Sequence, residues 1–296
     1  LLDRAGLSDR VTVHHVTGGQ LPFTSYFANA VVSDGMLRGG RYPDNPGEIM
    51  RVLRPCGGVL ILAAPADSGR RMRQWGRGLS SQWKVTEQGG LTWGRLQRGA
   101  LDGSGQWTHQ YAEPGNSACS GDKLVKGPLT IQWFGEPGPR DMLDRHHRNI
   151  APLSKDGRLF VPGDCVVFGV DAYNGTVLWR ADVPDSRRLG AFLDCGSMAV
   201  DDRMLYIAAE DGCHAFDVQS GREQRVFALP QLIRDEPHRW GYVAYEDSTL
   251  FGSGCKREAS YRQTSYAADT ALWHRNMKLV TSDYLFAQDK GTGALA

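Results

Sequence analysis

The stretch Phe168-Gly-Val-Asp171-Ala-Tyr-Asn-Gly175-Thr-Val-Leu-Trp179 decides how the second half of the chain is interpreted. An apolar run ends at an Asp, a Gly follows four residues later, and a Trp stands four residues after that Gly. An Asp can accept hydrogen bonds from nearby backbone amides and a Gly tolerates a positive φ, so the pattern predicts a strand, a tight turn and a second strand. The Trp is predicted to pack between neighbouring structural units.

The same pattern recurs further along the chain as His214-Ala-Phe-Asp217-Val-Gln-Ser-Gly221. Asp171 and Asp217 are 46 residues apart, and so are Gly175 and Gly221. The chain therefore contains an internal repeat. Each copy follows a turn-and-strand pattern that contains an Asp: Lys155-Asp-Gly-Arg-Leu-Phe160 before the first and Asp202-Arg-Met-Leu-Tyr-Ile207 before the second.

A third copy is predicted near the end of the sequence. Asp283-Tyr-Leu-Phe286 is assigned to its first strand, and Ala287-Gln-Asp289-Lys-Gly-Thr-Gly293 to its turn. The offset from Asp217 is 72 residues, 26 more than the repeat, so an insertion is predicted and most of it is assigned to residues 256–277. Short strands repeated every 40–50 residues or so, four to a unit, indicate a β-propeller. Residues 107–296 are thus predicted to be an all-β domain holding part of a propeller.

Residues 1–100 follow a different pattern, in which apolar strands alternate with helix. Continuous apolar runs separated by helical spacing are typical of a parallel sheet, here closed by an antiparallel hairpin, so this half is predicted to be an α/β domain. Residues 101–106, which include Leu101-Asp-Gly-Ser-Gly105, are predicted to be a linker. The predicted elements are strands at 11–16, 28–33 and 59–64, a helix at 46–53, and hairpin strands at 83–86 and 91–96.

Composition excludes several classes of protein. The 296 residues suffice for about two domains, and 41% apolar residues allow a sizeable core. The formal net charge of +1 argues against a nucleic-acid-binding protein. The longest apolar run, at residues 59–64, is far below the ~20 residues of a membrane-spanning helix. The chain opens at Leu1 without an initiator Met and ends inside the third copy, so we expect a fragment, and the compartment stays open.

The cysteines leave two alternatives open. Six are present, at positions 56, 119, 165, 195, 213 and 255, and no pair has C-x-x-C spacing. This spacing argues against a zinc-ribbon or thioredoxin-type site. The thiols are either sporadic and buried, or form one or two disulfides in an exported protein.

The first half resembles the C-terminal part of a class I S-adenosylmethionine-dependent methyltransferase. The residues that carry the resemblance are Glu48-Ile-Met-Arg-Val-Leu-Arg-Pro55 and Gly57-Gly-Val-Leu-Ile-Leu62, which match the late helix and strand of that family. The resemblance implies that residues 1–98 hold the third to seventh strands of a seven-stranded Rossmann-like sheet.

The resemblance also implies where a cofactor would lie. The glycine-rich loop and the acidic residue that holds the ribose would lie upstream of Leu1, so S-adenosylmethionine is expected to bind the intact protein and not this chain alone. Thr17 and Gly18 stand where the family contacts the adenine, and Ser33 and Asp34 stand where it lines the methyl-acceptor pocket. These four residues are either cofactor-edge contacts or ordinary loop residues.

The second half resembles the quinoprotein-type β-propeller, whose blade motif matches residues 169–179. Arg225 replaces the Trp in the second copy, and no adjacent cysteine pair exists, so pyrroloquinoline quinone is not expected. The propeller is expected to bind a partner or substrate of unknown identity. Residues 107–116 and 127–134 resemble the first propeller segment of large bacterial proteins that fuse a methyltransferase-like domain to this propeller.

Other candidate chemistry is sparse, and no catalytic residue or metal ligand is assigned. Asp144-Arg-His-His147 is either a metal or acid–base site or a polar loop at a blade mouth. His14 and His15 alternate on the predicted strand, so at most one faces any site. Gly252-Ser-Gly254 is too short to indicate phosphate binding.

Three functions follow from these observations. The first is a methyltransferase-like enzyme with a propeller that binds the partner or substrate. The second is a non-catalytic binding protein with a decayed methyltransferase fold, which Thr17 and the inserted Cys56 favour. The third, a quinone-dependent dehydrogenase, is disfavoured by the missing cysteine pair.

Overall fold

The computed structural model describes residues 2–16, 19–138, 140–142, 151–184, 186, 196–234, 238–256 and 282–296. The chain divides into two compact units, Leu1–Leu101 and Asp102–Ala296. The first contains a mixed α/β sheet, and the second contains antiparallel sheets with little helix. Within the described residues, no helix has both the length and the apolar character needed to cross a membrane.

The described part of the first unit contains one four-stranded sheet and three short α-helices. Single 3-10 turns lie at Asp3–Ala5, Ala66–Ser68 and Gly76–Gly78. The strands and α-helices in chain order are β1 (Ala30–Ser33), α1 (Gly35–Gly39), α2 (Pro46–Val52), β2 (Val59–Pro65), α3 (Gly69–Trp75), β3 (Lys84–Gln88) and β4 (Leu91–Gln97).

The sheet of the first unit has the strand order β1-β2-β4-β3. β1 runs parallel to β2, with Ala30 opposite Val59, and β4 is antiparallel to both β2 and β3. The predicted hairpin is confirmed, and so is the buried central strand, in which Leu60 and Leu62 are almost fully enclosed. The sheet as described is mixed rather than mostly parallel, because the second strand of the hairpin, not the first, pairs with β2.

The strand predicted at residues 11–16 is not formed. All six residues are exposed, Val13 at 77%. A β-branched alternating segment becomes a strand only where a neighbouring strand accepts its hydrogen bonds and a surface buries one face. No described strand pairs with the outer edge of β1, so residues 11–16 have neither condition.

The helix predicted at residues 46–53 is confirmed as α2. Asn45 caps it, since its side-chain oxygen accepts the backbone N–H of Glu48 at 3.1 Å, and Pro46 occupies the first turn, where no N–H is needed. Ile49 and Val52 are buried against the sheet. Local capping and apolar spacing together explain why the sequence identified this helix.

The second unit is built from short antiparallel strands. Its described residues form three sheets, here called sheets I, II and III, and one helix, α4 (Gln231–Arg234). Sheet I contains β5 (Leu153–Lys155), β6 (Arg158–Pro162), β7 (Val166–Asp171) and β8 (Val177–Asp182). Sheet II contains β9 (Met198–Val200), β10 (Met204–Ala208), β11 (Cys213–Asp217) and β12 (Glu223–Phe227), and sheet III contains β13 (His238–Glu246), β14 (Thr249–Lys256) and β15 (Ser282–Asp289).

Each sheet is a meander in which successive strands are antiparallel neighbours. Sheets I and II have four strands each, as the repeat predicts. In sheet III a single bridge between Gln288 and Leu295 stands in the place of the fourth strand. The sheets are therefore blade-like, and the described residues do not form a closed ring of blades.

The third copy is aligned differently from the prediction. Asp283 and Phe286 lie in β15, the third strand of sheet III, whereas the turn that corresponds to Asp156-Gly157 is Asp247-Ser248, between β13 and β14. The predicted insertion at residues 256–277 falls between β14 and β15, and residues 257–281 lie outside the described residues.

Apolar side chains fill the space between successive sheets. Trp179 and Phe160 of sheet I meet Leu205 and Phe216 of sheet II in one core, and residues of sheets II and III form a second. The second core contains Tyr206, Phe227, Trp240, Val243 and Leu250. The sheets thus stack face to face, as blades do.

The Asp–Gly turns have the same geometry in all three copies. In the second, Asp217 accepts the backbone N–H groups of Gln219 (3.1 Å) and Ser220 (2.8 Å), and Gly221 closes the turn with φ 68°. These hydrogen bonds, led by that of the Ser220 hydroxyl, lower the pKa of Asp217. The other turns run from Asp171 to Gly175 and from Asp289 to Gly293.

Trp179 ties one sheet to the next. Its side chain is 8% exposed, and its Nε1–H donates to the carbonyl of Val218, in the turn of sheet II, at 3.1 Å. Its ring fills the space where a Cβ at Gly221 would lie. The prediction that Trp179 packs against the neighbouring repeat is confirmed: the ring packs on the turn of sheet II.

Candidate functional site

Ser33 and Asp34 lie together at the carboxyl end of β1. The hydroxyl of Ser33 accepts the backbone N–H of Gly35 at 3.3 Å, and a carboxylate oxygen of Asp34 lies 2.6 Å from Nε of Arg38. Both partners of the ion pair are largely exposed. Thr17 and Gly18 lie outside the described residues, so the four predicted site residues are represented here by this pair alone.

The carboxyl end of β2 opens at the same edge of the sheet. Because β1 and β2 are parallel, with Ser33 opposite Leu62, the loop after Ser33 and the loop after Pro65 leave on the same side. Crevices at the carboxyl ends of parallel strands are where α/β proteins bind ligands. Ser33 and Asp34 therefore lie at the carboxyl edge of the parallel strand pair.

A partly buried ion pair fixes the chain that leads to β1. Glu48 and Arg51 of α2 lie 2.6 Å apart; Glu48 accepts the N–H of Leu21 at 2.8 Å, and Arg51 donates to the Leu21 carbonyl at 3.1 Å. The hydrogen bonds from Arg51 and from Leu21 lower the pKa of Glu48 to about 2. The Glu and Arg of the quoted methyltransferase signature thus hold a loop in place.

In the second unit, residues 107–109 form a central segment that bonds to all three sheets. Trp107 exchanges two backbone hydrogen bonds with Ser154 of β5, at 2.7 and 2.8 Å. Thr108 accepts the N–H of Val200 in β9 at 3.0 Å, and Nε2 of His109 accepts the N–H of Tyr245 in β13 at 3.2 Å. The segment therefore joins the first strands of the three sheets.

His109 is neutral in this position. Its Nδ1 lies 2.8 Å from the hydroxyl of Thr108, which itself bonds the carbonyl of Ala112 at 3.2 Å. Since Nε2 accepts a hydrogen bond, the proton is assigned to Nδ1. Burial lowers the pKa of His109 to about 4. A neutral, doubly bonded imidazole acts as a structural connector here.

Ion pairs join the turns at one end of the sheets. Asp201 of sheet II accepts Lys290 of sheet III at 2.9 Å and the hydroxyl of Tyr206 at 2.9 Å. Burial alone would raise the pKa of Asp201, but these hydrogen bonds outweigh it and lower the pKa. Lys155 of sheet I lies 2.7 Å from Asp202. Each carboxylate oxygen of Asp201 accepts two hydrogen bonds, which suits a structural role better than a catalytic one.

His214 is enclosed by two carboxylates within sheet II. Nδ1 lies 3.1 Å from Glu223 and Nε2 lies 2.9 Å from Asp211. Burial lowers the pKa of His214, but the two carboxylates outweigh burial and raise it. In the part of the chain that the structure describes, this cluster and the others do not form a metal-binding group of three His, Cys, Asp or Glu side chains.

The remaining candidates carry no chemistry in the described residues. Asp144 and His147 lie outside them. His14 is exposed and packs edge-on against Phe23. Gly252-Ser-Gly254 lies within β14, where Gly252 makes room for aromatic rings, rather than in a loop. The five described cysteines, at positions 56, 119, 165, 213 and 255, form no disulfide.

Two further side chains make the contact that Trp179 makes; the sequence analysis placed Arg225 at the Trp position but did not assign it a contact, and it did not single out Trp133. Trp133 donates to the carbonyl of Ala172 at 3.0 Å, and Arg225 donates to the carbonyl of Gly291 at 2.5 Å and to that of Thr292. Trp133, Trp179 and Arg225 are spaced by 46 residues each. The repeat spacing was the signal that could have identified them.

Comparisons with known proteins identify no family. No protein-family model matches the chain, and neither does any curated protein. BamB from Moraxella catarrhalis is 18% identical and aligns over 49% of this chain and 38% of its own, with a TM-score of 0.31. A protein from Methanococcus maripaludis, named as an S-adenosyl-L-methionine-dependent methyltransferase, is 17% identical over 34% of this chain and 60% of its own, with a TM-score of 0.26.

The chain thus spans less than two thirds of the length of either solved structure. TM-scores this low carry no argument about function. What the chain can do has to be argued from its own residues.

Proposed function

We propose that this chain supplies the acceptor side of an S-adenosylmethionine-dependent methyltransferase-like protein, and that its stacked β-sheets bind the partner or substrate. The observation that carries the proposal is the parallel pairing of β1 with β2, which places Ser33 and Asp34 at the carboxyl edge of the sheet. The quoted signature supports it, because its residues form α2 and β2 in that order.

The residues present do not by themselves fit S-adenosylmethionine. No strand of the first unit is followed by Gly-x-Gly-x-Gly, the loop whose backbone amides approach a nucleotide-type ligand closely. The edge carboxylate, Asp34, is already paired with Arg38. We therefore assign Ser33 and Asp34 to the acceptor side and Thr17 and Gly18 to the adenine side, and assign no step of methyl transfer to these residues.

The proposal requires no acid–base groups at this edge. Methyl transfer depends chiefly on holding the acceptor in line with the methyl donor, and orientation alone can supply roughly 7–11 kcal/mol of rate enhancement. In this proposal Ser33 and Asp34, at the end of β1, contribute to that positioning.

Calorimetric titration with S-adenosylmethionine tests the proposal. We expect no binding to the 296-residue chain, and binding to a form extended upstream by a strand and a Gly-x-Gly-x-Gly loop, natural or grafted. In that extended form, Ser33→Ala and Asp34→Ala should raise KM for the acceptor while leaving the affinity for S-adenosylmethionine unchanged. Tight binding to the chain alone would show that the site is misplaced.

A second candidate is a binding protein whose methyltransferase-like unit is inactive. The ion pair between Asp34 and Arg38 favours it, because a carboxylate held at 2.6 Å by its own helix is less available to a ligand. The same titration separates the two candidates. An extended form with a complete glycine loop that still fails to bind S-adenosylmethionine would favour the binding protein.

A further inference from the structure

The two units of the chain carry opposite charges. Residues 1–101 hold 13 basic (Arg, Lys) and 7 acidic (Asp, Glu) side chains, a formal charge of +6. Residues 102–296 hold 21 basic and 26 acidic side chains, a formal charge of −5. The net charge of +1 for the whole chain averages over this difference, so it does not argue against an anionic ligand at a surface of the first unit.

A concentrated part of this positive charge lies on α3 and the 3-10 turn that follows it. Residues 69–78 contain four arginines and no acidic residue, and all four are exposed: Arg70, Arg71, Arg73 and Arg77. Among the described residues, no carboxylate forms an ion pair with any of them. Oε1 of Glu87 and Nη2 of Arg73 lie 3.0 and 3.2 Å from the position of a Cβ at Gly69, without pairing. The arginines therefore present unneutralised charge to solvent.

The stability of α3 does not explain these arginines. Arg70 and Arg71 stand in the first turn, which holds no acidic residue, although the helix dipole favours anions at this end. Ser68 precedes the helix and makes no side-chain capping bond. What holds α3 on the sheet is the apolar side, where Met72 is fully buried and Trp75 packs against the same core. Exposed residues that oppose the local preference of their element are typical of binding surfaces.

Three of the four arginines form a row. Arg70, Arg73 and Arg77 are three and four residues apart, a spacing that places side chains on one side of a helix. At 1.5 Å of rise per residue the row extends for about 10 Å. Arg71 lies beside the row, with its guanidinium carbon 5.9 Å from the ring centre of Tyr42. A single row of cations matches the phosphates of one nucleic-acid strand, which carries one negative charge per nucleotide.

The surroundings of the row favour a nucleic acid over other anionic partners. In the described part of the first unit, every exposed large apolar side chain lies at or before Leu37, and none lies near α3 in the sequence. An interface with an acidic protein needs an apolar core, and a helix on an anionic membrane inserts an apolar face. Met72 and Trp75, the large apolar side chains of α3, pack on the sheet instead. Interfaces with nucleic acids are polar and strongly positive, as this surface is.

We propose that α3 and the turn after it bind the phosphate backbone of a single nucleic-acid strand, with Arg70, Arg73 and Arg77 each contacting a phosphate. A guanidinium group presents paired N–H donors that match two phosphate oxygens. Contacts of this kind position a strand and carry no sequence preference. The surface uses neither Ser33 nor Asp34 and requires no cofactor, so the proposal goes beyond methyl transfer and is tested separately from it.

Fluorescence anisotropy with a fluorescein-labelled single-stranded oligonucleotide of mixed sequence tests the proposal on the whole chain. The logarithm of the association constant should fall linearly with the logarithm of the salt concentration, with a slope of about −2 for three phosphate contacts at about −0.7 each. The double variant Arg70→Ala, Arg73→Ala removes two contacts, so it should bind about tenfold more weakly or worse, with a slope of about −0.7. Alanine favours a helix, so circular dichroism should not change.

The matched control removes two charges from the other face of the same sheet. Lys84 and Arg95 are exposed and pair directly across β3 and β4. Gly94 faces Met72 of α3, so its neighbour Arg95, and Lys84 opposite it, point away from α3. The double variant Lys84→Ala, Arg95→Ala should therefore keep the affinity and the salt slope of the wild type.

Three results would overturn the proposal. The first is a wild-type chain that does not bind the oligonucleotide at low salt. The second is an equal affinity for the two double variants, because net charge rather than the row on α3 would then govern binding. The third comes from competition: polyglutamate or vesicles of anionic phospholipid that displace the labelled strand as well as the unlabelled oligonucleotide does, at equal charge concentration, would assign the surface to another anionic partner.

Discussion

Single residues of the second unit contact the Asp–Gly turn of the next repeat, and different side chains do so by the same geometry. Trp133 and Trp179 each donate one N–H to a carbonyl in the next turn. Arg225 donates to three carbonyls, those of Lys290, Gly291 and Thr292, and stacks 4.6 Å from the ring centre of Phe227. A planar cation with several donors can therefore replace the indole, which explains why the second copy of the repeat tolerates the exchange.

Truncation of Trp179 measures how much its contact between sheets I and II contributes to the free energy of unfolding. Trp179→Ala removes a buried ring and leaves a cavity, so we expect the free energy of unfolding to fall by about 3–5 kcal/mol. Urea denaturation followed by circular dichroism gives this value. Leu178→Ala, next to it on the exposed face of β8, is the control and should change stability by less than about 1 kcal/mol. Equal effects at the two positions would mean that Trp179 does not hold the sheets together.

The pH dependence of stability should show the lowered pKa of His109. Burial lowers its pKa to about 4 from the ordinary value of 6.5. Below pH 6.5 the unfolded chain takes up a proton that the folded chain refuses, so the contribution of His109 is complete above pH 6.5 and is lost as the pH falls towards 4. The measurement is the free energy of unfolding of wild type and His109→Gln across this range.

The comparison of the two proteins isolates His109 from other groups. The pKa of His214 is raised, so its contribution has the opposite sign: it is present at low pH and lost as the pH rises through the folded value. Both proteins retain His214, and its effect cancels in the difference. A difference between wild type and His109→Gln that does not shrink on acidification would contradict the assignment.

At the scale of elements, a turn glycine can be required for two reasons: it adopts a positive φ, and it leaves room for a neighbouring side chain. Mutation can separate these two requirements. Gly221 has φ 68° and faces the Trp179 ring, whereas Gly121 has φ 70° and open space around it. Gly121→Ala should cost about 1–2 kcal/mol through backbone strain alone. Gly221→Ala should cost about 1–3 kcal/mol more, because the methyl group meets the indole. If both variants lose the same free energy of unfolding in urea denaturation, the Trp179 ring moves aside without strain.

Elements with strong local signals were predictable from the sequence, and those that depend on distant partners were not. α2 has a cap, a Pro and an apolar face, and the turns have their Asp and Gly. α3 was missed because it is rich in Arg and buries Met72 and Gly69 alone, without an apolar stripe. Residues 11–16 have the alternation of a strand but lack a partner to pair with.

Candidate site residues were likewise predictable only where a local sequence pattern marks them. The position of Ser33 and Asp34 at the end of a strand was predictable because the strand before them has a recognisable apolar pattern. The bond between Asp201 and Lys290 joins residues 89 positions apart, and no local pattern marks it. The alignment of sheet III was misjudged for a related reason: the insertion separates β14 from β15, which are neighbours in the sheet. Pairing across a long insertion leaves no periodic trace in the sequence.

At the scale of the whole molecule, each described hydrophobic core lies within one of the two units. One core lies entirely within the first unit and contains Leu60, Leu62 and Met72. The others lie entirely within the second, between sheets I and II, between sheets II and III, and on the face of sheet I that contains Phe168. Separate cores allow each unit to unfold as a cooperative transition of its own.

Calorimetry of two core variants tests this independence. Leu60→Ala empties a fully buried position of the first core and should destabilise that unit by about 2–5 kcal/mol. Leu205→Ala does the same between sheets I and II. If the cores are independent, each variant lowers the temperature of one transition and leaves the other in place. A single transition that both variants shift equally would show that the two units unfold together, and that contacts beyond these cores couple them.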